Sequence, residues 1–110
     1  FELELLDKVR EGGVWGVQET LNMLQDGRLH TVVVPWTEAP DVWITSSGRV
    51  AATMEEAEAL RPGEEVAQVR LIEVLTGLVQ ASGTILEFAE GAAEERLNMD
   101  FGGMAGLTRW

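Results

Sequence analysis

The sequence predicts an α/β fold in which helices cover both faces of a central sheet. Helix-like and strand-like segments alternate along most of the chain, a pattern typical of this class. The run from Val32 to Val34 is too apolar for a strand with one face in water, so it indicates a strand covered on both sides. A length of 110 residues suits a single domain, 1–110, with one hydrophobic core.

The first third of the chain predicts a helix followed by a βαβ unit. The helix runs from Phe1 to Arg10 and is followed by a glycine pair. Val14 and Trp15 then begin a strand, a second helix closes at Gly27, and Thr31 to Val34 forms the central strand before Pro35. The apolar positions that support the two helices are Leu5, Leu6, Val9, Val17, Leu21 and Leu24.

The segment from Glu38 to Gln68 departs from this alternation and is interpreted as an excursion from the main sheet. Val42 to Thr45 and Arg49 to Ala52 are short β-prone runs on either side of a Ser-Ser-Gly turn, which predicts a hairpin. Met54 to Leu60 fits either a short acidic helix or a loop. Glu64 to Gln68 fits either another short strand or the approach to the next helix.

Regular α/β structure resumes after the excursion. A helix is predicted from Val69 to Ser82, ending at Gly83, and a strand from Thr84 to Phe88. A short helix from Gly91 to Leu97 and a last strand from Met104 to Trp110 complete the chain. The predicted inward positions of the two helices are Leu71, Ile72, Leu75, Leu78, Val79, Ala92, Ala93 and Leu97.

Composition and charge exclude several kinds of site. Without cysteine, neither a disulfide nor a thiolate metal site can form, and the chain fits a cytoplasmic protein. A net charge of −11 repels phosphate backbones and makes nucleic acid an unfavourable partner. No apolar run is long enough to cross a bilayer, so no membrane partner is expected. Since the chain opens at Phe1 and not at a methionine, we expect it to be a fragment of a longer protein.

No catalytic, cofactor or metal motif is found in the sequence. No glycine-rich loop followed by Lys-Ser or Lys-Thr occurs, and the lone His30 is interpreted as a surface or cap residue. The carboxylate pairs Glu55-Glu56, Glu64-Glu65 and Glu94-Glu95 are interpreted as solvated surface charge, because adjacent residues point in different directions. We therefore expect no cofactor, no metal and no enzymatic activity.

Two segments together resemble a known family. The first is GVQETL at positions 16–21, with Gly27 and the valine strand; the second is RLN at 96–98 followed by FGGMAGLTRW at 101–110. They are similar to the third domain of the archaeal and eukaryotic class I peptide chain release factors and of Pelota, the ribosome-rescue paralogue. The spacing between the segments also matches. The sequence differs enough from the archaeal members of this family to suggest a bacterial relative.

The resemblance implies a three-layer α/β/α sandwich with a mixed sheet, the fold shared with kink-turn-binding ribosomal proteins. In release factors this domain binds the partner translational GTPase, and the peptide-releasing Gly-Gly-Gln loop belongs to another domain. Neither Gly12-Gly13 nor Gly102-Gly103 is followed by Gln, so this chain is not expected to release peptide. Archaeal members often carry a cysteine-bearing zinc minidomain where this chain has Asp41 to Gln68. The excursion at residues 38–68 would then be a reduced, metal-free remnant of that minidomain.

One functional hypothesis is a non-catalytic protein-docking module of a translation termination or ribosome-rescue protein. Its partner would be a translational GTPase or a ribosome-associated protein. The contact surface would lie around Val42 to Val50, with Trp36, Trp43 and Ile44, because binding residues concentrate on insertions outside a rigid scaffold. The alternative for the two tryptophans is that they cover the end of the main core.

The other hypothesis is a diverged RNA-binding module of the kink-turn-binding fold. Gly16, Gln18 and Glu19 stand where those proteins place Gly-x-Asn-Glu at a helix N-terminus, with Gln18 in place of the Asn. In the alternative interpretation, Gly16 only makes the turn into the helix and Glu19 stabilises the helix start. The acidic composition disfavours RNA.

Overall fold

The computed structural model describes residues 2–109, so Phe1 and Trp110, the ends of the predicted first helix and last strand, lie outside the described residues. The described part forms helices and strands that follow the predicted order. They are α1 (Glu2–Gly12), β1 (Val14–Trp15), α2 (Val17–Gln25), β2 (Leu29–Pro35), β3 (Asp41–Thr45), β4 (Val50–Ala51), α3 (Met54–Leu60), β5 (Val66–Arg70), α4 (Leu71–Ser82), β6 (Ile85–Ala89), α5 (Ala92–Asp100) and β7 (Ala105–Thr108).

The main sheet is mixed and has the strand order β1-β7-β2-β6, which confirms the predicted central position of the valine strand. β2 pairs in parallel with β6 on one side and antiparallel with β7 on the other. β1 pairs antiparallel with β7, so β1 and β2 run in the same direction with β7 between them. The predicted βαβ unit is therefore split by the last strand of the chain.

Helices cover both faces of this sheet, and the fold is a three-layer sandwich. Val32 and Val34 pack with α2 and α4, and Val33 packs with α1 and α5, as expected from the alternation of side chains along a strand. All three valines are fully buried. Burying such a side chain stabilises the fold by about 1.5–3 kcal/mol relative to leaving it exposed. The buried residues facing them include Leu21, Leu24, Leu71 and Leu75 on one face and, on the other, Leu5, Leu6, Val9, Leu97 and Phe101, which directly follows α5.

The excursion forms a second, antiparallel sheet with the order β4-β3-β5. The hairpin is confirmed, the open choice for residues 54–60 is resolved as the helix α3, and the third run is the strand β5. Thr53 begins α3 as an N-cap, because its side chain accepts a hydrogen bond from the Glu56 backbone N–H. β5 extends through Arg70, so α4 begins at Leu71 and not at Val69.

A polar stripe of α2 attaches the second sheet to the main domain. The Gln25 side-chain amide donates to the Val50 carbonyl and accepts from the Val50 N–H, both at 2.7 Å, as a neighbouring strand would. One and two turns earlier, Asn22 accepts from Arg49 at 3.1 Å and Gln18 accepts from the Ala52 N–H at 2.7 Å. α2 therefore covers the outer edge of β4, which would otherwise leave backbone groups unpaired.

Two predicted inward positions are exposed. Ile72 is 40% exposed, because Leu71, Leu75 and Val79 already form the buried stripe of α4 and Ile72 points away from it. Ala92 is exposed at the start of α5, where Ala93 and Leu97 face the sheet. Within residues 2–109 no helix has the length and apolar character needed to span a membrane.

Candidate functional site

Trp36 marks the candidate site, directly after the carboxyl end of β2. Its indole is 57% exposed, although one edge packs against the Phe88 ring in a T-shaped contact with centroids 5.1 Å apart. The Trp36 backbone N–H donates to the Ala89 carbonyl at 2.9 Å, which ties the residue to the end of β6. An exposed aromatic ring is thus held at the carboxyl ends of the two parallel strands β2 and β6.

The loop of residues 36–40 has exposed apolar side chains on both sides. On one side, Ile72 lines a cleft together with Trp36, Pro40 and Arg70. On the other side, Met99 of α5 is 76% exposed beside Thr37. The cleft at Ile72 has a volume of about 80 Å³, far below the roughly 300–1,000 Å³ of small-molecule sites. The cleft at Ile72 therefore suits contact with a protein side chain better than a cofactor.

Glu94 corrects the interpretation of the carboxylate pairs as solvated charge. It is 8% exposed, and its carboxylate accepts hydrogen bonds from the Thr37 N–H at 2.9 Å and the Glu38 N–H at 2.8 Å. The Thr37 hydroxyl lies 2.9 Å from both carboxylate oxygens. Sequence reasoning missed this role because the contact joins residues 57 positions apart. Its neighbour Glu95 is exposed, as predicted.

The pKa of Glu94 reflects two opposing effects. Burial by itself raises the pKa, because it disfavours the charged form. Hydrogen bonds from the Glu38 N–H, the Thr37 hydroxyl and the Thr37 N–H stabilise the carboxylate and outweigh burial, so the pKa lies below its ordinary value. Glu94 is therefore ionised at neutral pH.

Another of the predicted carboxylate pairs also has a local structural role. The Glu64 carboxylate accepts from the Ser47 N–H at 2.8 Å and so fixes the turn between β3 and β4. Hydrogen bonds from the Ser47 side chain and backbone lower the pKa of this exposed carboxyl.

The structure separates the residues predicted to contact a partner. Val42 is fully buried, so its inclusion in an exposed contact surface was wrong, and Ile44 packs against the main core. Trp43 is half-buried on the opposite face of β3, where its cross-strand neighbours are Ala51 and Gln68. The alternation of side chains along a strand could have predicted this separation from the sequence. Of the four predicted contact residues, Trp36 alone is mostly exposed.

The residues proposed for RNA contact are largely engaged within the domain. Gly16 adopts φ +90°, and its N–H points to the carbonyls of Phe101 and Met104, both at 2.9 Å. The Gln18 amide accepts from Ala52 and donates to Asn22. Glu19 is exposed in the first turn of α2.

The remaining polar candidates form no cluster typical of catalysis or metal binding. His30 is exposed, as predicted, and its Nδ1 lies 2.7 Å from the Thr31 hydroxyl. Across residues 2–109 no three His, Asp or Glu side chains are grouped so that they could hold a metal ion.

The architecture defines a class: a three-layer α/β/α domain with a mixed central sheet and a separate small antiparallel sheet. Among solved structures, the C-terminal domain of a peptide chain release factor from Methanosarcina mazei has this fold. The match has a TM-score of 0.62 and 13% sequence identity, and it covers 99% of this chain and 76% of that one. No protein-family model and no curated protein matches the sequence. The fold predicted from the release-factor resemblance is therefore confirmed.

Proposed function

We propose that the chain is a non-catalytic protein-docking domain of a release-factor-like protein that acts in translation termination or ribosome rescue in the cytoplasm. Similarity of fold to the C-terminal domain of a release factor supports the translational context. The partner would be a translational GTPase or a ribosome-associated protein. The domain would dock through a surface centred on Trp36, which we call the Trp36 surface and define as Trp36, Ile72 and Met99.

The observation that carries this proposal is the exposure of a tightly held indole. Trp36 is 57% exposed, yet Phe88 and the Ala89 carbonyl fix its position. Tryptophan is enriched among interface residues that dominate binding energy, and a fixed side chain loses little conformational freedom on binding. Trp43, half-buried on the second sheet, is a second candidate contact outside the Trp36 surface.

Charge around the Trp36 surface favours a basic partner. Glu38, Glu73, Glu90 and Glu95 are exposed on the loop and the elements that border it. With a chain charge of −11, they would attract a positively charged protein surface and raise the association rate at low salt. The same negative charge argues against the alternative RNA-binding module. Gln18, one of the residues expected to contact RNA, is already hydrogen-bonded to Ala52 within the domain.

The test is a binding measurement between the purified domain and candidate partners, namely translational GTPases and ribosomal subunits, at two salt concentrations. Trp36→Ala should weaken binding by at least tenfold, or about 1.4 kcal/mol. Its unfolding free energy should fall by only about 1 kcal/mol, the scale of the lost ring contact with Phe88. Ile85→Ala is the matched control, because Ile85 is 50% exposed at the opposite end of β6.

Three results would contradict the docking proposal or its location. Unchanged affinity in Trp36→Ala would place the contact elsewhere, and Trp43→Ala then shows whether the second sheet carries it. Equal losses in Trp36→Ala and Ile85→Ala would indicate a nonspecific effect. Salt-dependent binding to a kink-turn RNA that is weakened by Glu19→Ala would favour the RNA-binding module instead.

A further inference from the structure

We infer that Glu94 is the positioning residue of the 36–40 loop: its buried carboxylate binds two successive backbone N–H groups and thereby fixes the chain directly after Trp36. The use of this loop in docking depends on the proposed function. The structural role of Glu94 does not, and it can be tested in the domain alone.

Neither sheet pairs with these backbone donors. β2 ends at Pro35 and β3 begins at Asp41, so Thr37 and Glu38 lie outside both sheets. Their N–H groups converge on one Glu94 oxygen at 2.9 and 2.8 Å. Hydrogen bonds to a carboxylate are stronger than those to a neutral acceptor, and a buried carboxylate without partners would be costly. Carboxylate and loop therefore stabilise each other.

Trp36 immediately precedes the bound residues, so the Glu94 contact fixes the chain on the side of Trp36 that leads away from β2. The Trp36 N–H donates to the Ala89 carbonyl at the end of β6, and Glu94 lies five residues further along the chain, in the first turn of α5. The Asn98 side chain adds a weaker tie at the surface, donating to the Glu38 carboxylate at 3.2 Å. Loss of the Glu94 contact would leave Thr37 and Glu38 with that one bond, and the next attachment of the loop is the Pro40 carbonyl, which accepts from the Leu71 N–H at 3.2 Å.

The charged groups around Glu94 do not compensate its charge. Glu38 of the loop and Glu95 of α5 line the same depression, and Glu90 precedes the helix. Among the ion pairs of the described residues, none involves Glu94. The carboxylate is thus held by backbone N–H groups, a hydroxyl and the N-terminal end of α5, where an acidic residue is favourable.

The experiment compares Glu94→Gln with the matched control Glu95→Gln, which changes an exposed carboxylate one residue away. Amide hydrogen exchange of Thr37 and Glu38 is measured by NMR at neutral pH. In Glu94→Gln both amides should exchange at least tenfold faster, because a neutral amide oxygen is a weaker hydrogen-bond acceptor than the carboxylate. Exchange in β2 and α4 should stay unchanged. In Glu95→Gln the same two amides should exchange as fast as in the wild type.

A second measurement keeps the inference testable if Glu94→Gln does not fold. In the wild type, the Thr37 and Glu38 amide shifts should move together on acidification, following protonation of the Glu94 side chain. Unchanged exchange in a folded Glu94→Gln variant, or amide shifts that do not follow Glu94, would overturn the inference. Neither measurement involves a partner, so a failure of the docking proposal would show separately, as unchanged affinity in Trp36→Ala.

Discussion

The attachment of the second sheet through Gln25 gives a stability prediction whose size follows from the structure. Gln25→Met keeps the length of the side chain but removes the amide that pairs with both backbone groups of Val50 at 2.7 Å. It also removes the bond from the same amide to the Leu21 carbonyl at 3.0 Å. The change therefore acts on one end of α2 and on the outer edge of β4.

The expected loss of stability is about 2–4 kcal/mol. Val50 is fully buried, so its N–H and carbonyl would lose their partners away from solvent. Leaving a buried backbone group unpaired costs about 1–3 kcal/mol, and partial relaxation of β4 reduces the sum for two such groups. Because a domain of this size is stable by only about 5–15 kcal/mol, the loss should be easy to measure.

Urea unfolding monitored by tryptophan fluorescence provides the measurement. Gln80→Met is the matched control, since Gln80 is exposed on α4 and the same substitution there should change stability by less than about 0.5 kcal/mol. A loss below 0.5 kcal/mol in Gln25→Met would refute the claim that the side-chain amide acts as a strand partner. Equal losses in the two variants would refute it as well.

Three further predictions concern packing and pH. Gly13→Ala should lower the unfolding free energy measured in urea by about 1–3 kcal/mol, because a Cβ there would overlap the Gly106 carbonyl oxygen. Gly12→Ala is the control: a Cβ at Gly12 meets open space, so this variant should be as stable as the wild type. Leu21→Ala should lower the unfolding free energy by about 2–5 kcal/mol in the same measurement, since Leu21 is fully buried. A smaller loss would mean that α2 repacks. The pKa of Glu94 is lower in the folded state than its ordinary value of 4.5. The Glu94 carboxylate should therefore add fully to the unfolding free energy above pH 4.5, and this stabilisation should fade as the pH drops further. The stability gap between wild type and Glu94→Gln should therefore close in acid, and a constant gap would contradict this sign.

The sequence by itself determined the elements of the main domain and their class. Periodic apolar positions predict helices and strands because side chains on one face of an element must be buried together. The three valines from Val32 to Val34 indicated a strand covered on both sides. Gly83 could end α4 because it adopts the left-handed conformation at φ +69°. These signals are local, so they can be interpreted without knowing which elements meet.

Tertiary structure alone decided the order of strands and the roles of several polar residues. β7 lies between β1 and β2 although it is the last strand in the chain, and no local pattern encodes that position. Gln18 and Glu94 are indistinguishable from surface residues in the sequence. Each acquires its role from a backbone segment that is 34 or 57 positions away. A polar side chain is buried or solvated according to the partners that folding brings to it, and those partners are set by packing of distant elements.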